Sequence, residues 1–207
     1  MKFADPKNDL VFKKIFGDEN HKNILISLYN SILGDTNANK YMLDFKVLDF
    51  HTLAIEVFSK NGENVLVKFK STDNRLNMSV NKNLEEMDEI MFLNNRNLGD
   101  FDYVMNIFIL SGSLIFKHTA NYTSFMFVSD KYTMRCELKY FDCILELSQM
   151  NKDIYQLSSM LDKWIYFLKN ASNLTMIPKE YKNIKEFEDA FNIITQITLD
   201  TKDLRDE

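Results

Sequence analysis

The chain has 207 residues, 45% of them apolar and 27% charged, which suits one α/β domain whose core needs neither disulfides nor metals. A net charge of -5 argues against tight nonspecific binding to DNA, which favours a basic face. The start, Met1-Lys2-Phe3-Ala4-Asp5, carries no apolar signal stretch, and no apolar run is long enough to predict a membrane span.

In chain order, Asn8 or Asp9 caps a first short helix with Leu10, Val11, Ile15 and Phe16 as its apolar stripe, and Gly17 stops it. A second helix over 19–33 gathers Ile24, Leu25, Leu28, Ile32 and Leu33 on one face, and Gly34 closes it. Residues 41–58 are strand material: Phe45, Val47, Leu48 and Phe50, then Leu53, Ile55 and Val57 in alternation. Asn61-Gly62 marks a hairpin, after which Val65, Val67 and Phe69 alternate again.

The register of that hairpin follows from side-chain parity. A two-residue Asn-Gly loop would put Leu53, Ile55 and Val57 on one face with Asn64, Lys68 and Lys70. A three-residue loop, Lys60-Asn61-Gly62 with Gly62 in the left-handed position, pairs Ser59 with Glu63 instead. Leu53, Ile55, Val57, Val65, Val67 and Phe69 then share one apolar face, and a slip of one residue would destroy it. The second register therefore places Ala54 opposite Lys68, with Glu56 diagonal to Lys68 and within reach of a cross-strand ion pair worth about 0.2–1 kcal/mol.

Residues 74–96 read as a helix with Leu84, Met87, Ile90, Met91 and Leu93 buried. The run Tyr103 to Leu110 suits a strand buried on both faces. Further strands are expected over 122–129 and 133–147, and helices over 153–170 and 183–198, broken at Pro178, before a charged, frayed tail from Asp200. Cys136 and Cys143 read as free thiols of a reducing cytoplasm. His21, His51 and His118 have no ligand spacing, Trp164 reads as a core anchor, and Gly-rich phosphate loops, GxSxG and Cys-His pairings are missing from the sequence.

The opening Asn8-Asp9-Leu10-Val11-Phe12-Lys13-Lys14-Ile15-Phe16-Gly17-Asp18-Glu19-Asn20, with Lys22 and Ile24 to Leu33, resembles the start of the PD-(D/E)XK nuclease family transposases, or recombination-promoting nucleases. Glu146-Leu147 followed by Lys152 is similar to that family's strand ending in Glu-Leu with a nearby Lys, and Leu161 to Lys169 is similar to its Trp-containing helix. The resemblance implies an α/β, restriction-endonuclease-like core over 1–150 and a C-terminal helical extension over 151–207 packed on the same domain. It also implies a site in which an Asp and a Glu-x-Gln or Glu-x-Lys hold Mg²⁺ for DNA cleavage.

Here the family's Asp position is Ala54, its Glu position Lys68 and its third position Lys70. One ligand becomes a methyl group and another an ammonium. At ~4 Å and an effective dielectric near 20, like-charge repulsion is about 4 kcal/mol per unit charge, and a dication doubles it. The resemblance thus implies a degenerate, non-catalytic member that holds no metal or small-molecule cofactor. Its candidate partners are DNA, a homologous protein or a second copy, in the cytoplasm and away from membranes. Two other readings stay open: a residual metal-dependent endonuclease using Glu56 with Lys70 and the displaced Asp49, and a non-enzymatic protein-interaction module. Glu56 also reads plainly as a salt-bridge residue. Lys68 and Lys70 equally suit the sheet's polar face, and Asp9, Lys13 and Glu19 suit the capping and solvation of the first helices.

Overall fold

The computed structural model of the chain describes residues 2–34, 41–72, 93–111, 123–132 and 137–206. Six strands form one mixed sheet: β1 (Met42–Asp49), β2 (Ala54–Ser59), β3 (Asn64–Thr72), β4 (Tyr103–Leu110), β5 (Thr123–Tyr132) and β6 (Glu137–Glu146), in the order β1-β2-β3-β4-β6-β5. β1, β2 and β3 form an antiparallel meander, β3, β4 and β6 run parallel, and β5 closes the far edge antiparallel to β6. The chain is thus an α/β protein with helices packed on a mixed sheet.

The hairpin has the register that parity demanded. Ala54 pairs with Lys68, Val57 with Val65 and Phe58 with Asn64, and the Ser59 N–H donates to the Glu63 carbonyl across the loop. Gly62 sits at φ 81°, the left-handed conformation that lets the loop close in three residues. On one face of the sheet Ile55, Val57, Val65, Val67, Phe69, Tyr103, Met105, Ile107, Ile109, Cys143 and Leu145 are buried in a single core.

The described α-helices cover that face: α1 (Asp9–Phe16), α2 (Lys22–Leu33), α3 (Met160–Asn170) and α4 (Lys185–Asp206). Asn8 caps α1, its Oδ1 accepting from the N–H groups of Leu10 and Val11. The buried stripe of α1 is Val11, Phe12, Ile15 and Phe16; Leu10, expected inside, is 58% exposed, and Phe12 takes its place at the spacing that faces Phe16 and Phe69. The whole expected face of α2 is buried, with Tyr29 added. Ahead of α2, residues Glu19–His21 form a single tighter turn instead of helix, capped by the Asp18 side chain, which accepts from the Asn20 N–H.

The C-terminal part differs from the helical expectation at both ends. Residues 153–159 are not α-helical: a single turn at Ile154–Gln156 precedes α3, which starts where Ser159 and Asp162 form a reciprocal capping box. The last helix continues through Asp206 where a frayed tail was expected from Asp200. Strand expectations at the far edge hold to within a few residues. Leu93 is 74% exposed, contrary to the expectation that it is buried, and the helix expected over 74–96 does not reach its expected end: residues 94–96 are turn and irregular chain, with Asn95 at φ 54°, while 74–92 lie outside the described residues, as do His118 and Cys136. Trp164 is the expected anchor. It is fully buried, its Nε1–H donates to Ser27 Oγ at 3.0 Å, and its ring meets Phe16, Phe167 and Phe187. Among the described residues no helix is long and apolar enough to cross a membrane.

Candidate functional site

The face of the sheet opposite α1–α4 carries the positions that the resemblance singles out. Ala54 is the first residue of β2 and Lys68 its Cα partner in β3; both are buried, at 0% and 5% exposure. Asn106 of β4 pairs with Lys68 in turn and is also buried, so Ala54, Lys68 and Asn106 make one row across three strands. Lys70, one step along this face, is exposed. The sequence signal for Asn106 was its interruption of the apolar run from Tyr103 to Leu110.

Backbone geometry sets where this row begins. Leu53, just before Ala54, adopts φ 46°, a left-handed conformation costing a non-glycine residue about 1–2 kcal/mol. It is held there by burial of its side chain and by two hydrogen bonds, its N–H to the Phe50 carbonyl and its C=O from the Phe69 N–H. The turn ahead of it is organised by Asp49. One carboxylate oxygen accepts from the His51 N–H at 2.9 Å, the other from the Thr52 N–H at 3.2 Å and hydroxyl at 2.5 Å.

Glu56 shares the face of Ala54 and is 5% exposed. It does not pair with Lys68. Arg96 binds it through two nitrogens, Nη2 to Oε1 at 2.9 Å and Nη1 to Oε2 at 3.2 Å, and Asn64 Nδ2 donates to Oε1 at 2.9 Å. A planar guanidinium offers parallel N–H donors from two nitrogens, one for each carboxylate oxygen, where an ammonium is a single point charge, and that favours Arg96 over Lys68. Arg96 is itself fixed by Asp100 Oδ2 at 3.2 Å and lies over the Phe101 ring. Burial pushes the Glu56 carboxyl up, but the Arg96 and Asn64 hydrogen bonds outweigh it and hold the group below its ordinary range, while Glu56 raises Arg96. Arg96 was missed by sequence reasoning; its only trace there is the i,i+4 spacing to Asp100.

These residues do not fit Mg²⁺, which requires oxygen ligands. Ala54 offers a methyl group and Lys68 an ammonium, Glu56 is engaged by a guanidinium, and Asp49 is committed to its turn. Among the described residues no three His, Cys, Asp or Glu side chains gather as a metal ion would need.

The other motif residues are placed elsewhere. Asp9 and Lys13 pair with each other on α1, and His21 Nδ1 lies 2.8 Å from Asp18 Oδ2. His51 stands apart in the Asp49 turn. Glu146 ends β6, buried, and accepts from Gln149 Nε2 at 3.4 Å. Lys152 binds both oxygens of the buried Asp162 at 2.8 Å, tying the segment after β6 to the start of α3. A groove of about 680 Å³ lies on the helical side, between α2, Tyr41 and the starts of α3 and α4, away from the Ala54 row. No protein-family profile, curated protein or solved structure matches the chain.

Proposed function

We propose that this chain is a non-catalytic member of the PD-(D/E)XK nuclease-fold transposases, a restriction-endonuclease-like core retained for contact with DNA or with a related protein. The observation that carries the reading is the direct pairing of Ala54 with Lys68, the two positions at which active relatives would set their metal-binding acids. A mixed sheet with the described helices packed on it is compatible with such a core. The engagement of Glu56 by Arg96, and of Asp49 by its own turn, weighs against the alternative of a residual endonuclease built on displaced carboxylates.

Restoration tests this reading. Ala54→Asp with Lys68→Glu should bind Mg²⁺ or Mn²⁺ in a calorimetric titration at millimolar metal, where the natural chain gives no heat. A double variant that folds by circular dichroism yet binds no metal would show that the site is placed wrongly. Metal binding by the natural chain itself would revive the endonuclease. A salt-dependent gel shift separates the two retained roles: DNA contact gives one, and a purely protein-binding role does not.

A further inference from the structure

Among the described residues β1 is an edge strand, the kind of position at which another chain adds a strand through main-chain hydrogen bonds. In an antiparallel pair, alternate residues turn their N–H and C=O groups away from the neighbour. In β1 most of those outward groups from Met42 to Val47 already have partners from within the chain. The Val47 N–H donates to Glu19 Oε1 at 2.9 Å. The Phe45 C=O accepts from Lys22 Nζ at 2.7 Å, and the same ammonium binds Asp44 Oδ1 at 2.7 Å. The Phe45 N–H is folded onto Asp44 Oδ1 at 2.8 Å. Met42, before a bulge, is clasped from both sides by Asn30: its N–H donates to Oδ1 at 2.7 Å, and its C=O accepts from Nδ2 at 3.1 Å.

We propose that Glu19, Lys22 and Asn30 form an edge guard that keeps a second copy of this chain from pairing its β1 with this one. All three side chains come from one short stretch, the turn before α2 and α2 itself, which runs along β1. The excluded partner is a second copy because two identical antiparallel edges are self-complementary about a two-fold axis. The surface beside the edge would reward such pairing: Leu43 of β1 is 63% exposed and Phe58 of β2 44%. Charged and amide side chains seated on the strand remove the main-chain template that the apolar surface would otherwise use. The guard has no part in the Ala54–Lys68 row, so it stands or falls apart from the nuclease-like reading.

The test compares the natural chain with Glu19→Ala/Lys22→Ala/Asn30→Ala by size exclusion with light scattering over a concentration series. The triple variant should gain mass with concentration, approaching twice the mass of the natural chain. Adding Val47→Pro, which deletes the outward donor, should return it to the starting mass. A triple variant that folds by circular dichroism and keeps the natural mass at every concentration overturns the proposal. If the triple variant does not fold, amide exchange at Val47 decides. Glu19→Ala should speed it by about tenfold, the loss of one charge-assisted hydrogen bond, while Glu19→Gln, whose amide oxygen still accepts, stays close to the natural rate. Equal exchange in all three chains overturns the guard.

Discussion

Gly17 shows how the reason for a residue can differ from the one its type suggests. A glycine after a short helix reads as a left-handed cap, yet here φ is -97°, open to any side chain. What requires glycine is space. A Cβ would lie 2.7 Å from the Lys13 carbonyl oxygen and 3.0 Å from both Leu53 and Phe50. Those two residues belong to the turn that delivers Ala54 to β2, so the end of α1 packs directly beneath the candidate site. Gly17→Ala should therefore lower stability by about 1–3 kcal/mol in urea denaturation, since one of the close atoms is rigid backbone. Glu56 makes a second prediction at this scale. Its folded pKa lies below the ordinary 4.5, so the stability it contributes is complete above that value and is lost as pH falls through the folded pKa. Glu56→Gln should flatten the dependence of unfolding free energy on pH below about 4.5. An acid limb equally steep in both chains would mean that the Arg96 pairing contributes nothing. Asp162 obeys the same sign: burial raises it, and Lys152 with the N–H groups of Ser158 and Ser159 lowers it further than burial raises it.

Among the elements, the β2–β3 hairpin carries the functional argument, because its register decides which residue faces Lys68. That register depends on Gly62 at φ 81°, where a Cβ would meet nothing within 4 Å. The cost of a side chain there is purely conformational. Gly62→Ala should cost about 1–2 kcal/mol, and Gly62→Asn less, because asparagine tolerates the left-handed region; equal losses would show that contacts, and not φ, set the position. The opening motif is likewise explained at this scale. Asn8 caps α1, Asp18 caps the following turn, and Glu19, Lys22 and Asn30 seat themselves on β1. The stretch that carries the strongest family resemblance is scaffolding that joins two helices to a sheet edge.

At the scale of the whole molecule, the C-terminal helices are part of the core that the N-terminal helices build on the sheet. Trp164 of α3 is the joint: it contacts Phe16 of α1 and Phe187 of α4 and donates to Ser27 of α2. Phe167, Tyr181, Phe187 and Phe191 extend the aromatic packing around it. Trp164→Ala should cost about 3–5 kcal/mol, and fluorescence-independent probes such as circular dichroism and amide exchange should report the same single transition in the natural chain. Separate transitions for the sheet and for α3–α4 would mean that the extension is an independent unit. The described core is one-sided: helices lie on the Ile55 and Val67 face, while the Ala54, Lys68 and Asn106 row is buried on the other.

The sequence alone determined a helix cap at Asn8 or Asp9, the face of α2, the doubly buried β4 and the hairpin register, and with it the pairing of Ala54 and Lys68. Each rests on a local rule, a period of two or 3.6 or a residue suited to one backbone conformation, which a single chain displays openly. Only the tertiary structure decided that Glu56 answers to Arg96, that Gly17 is needed for space, that α3 starts at Met160 and that side chains from α2 and the turn before it close β1. Those outcomes depend on groups far apart in the chain, Glu56 and Arg96 being 40 residues distant, and contact across such a span leaves no periodic mark.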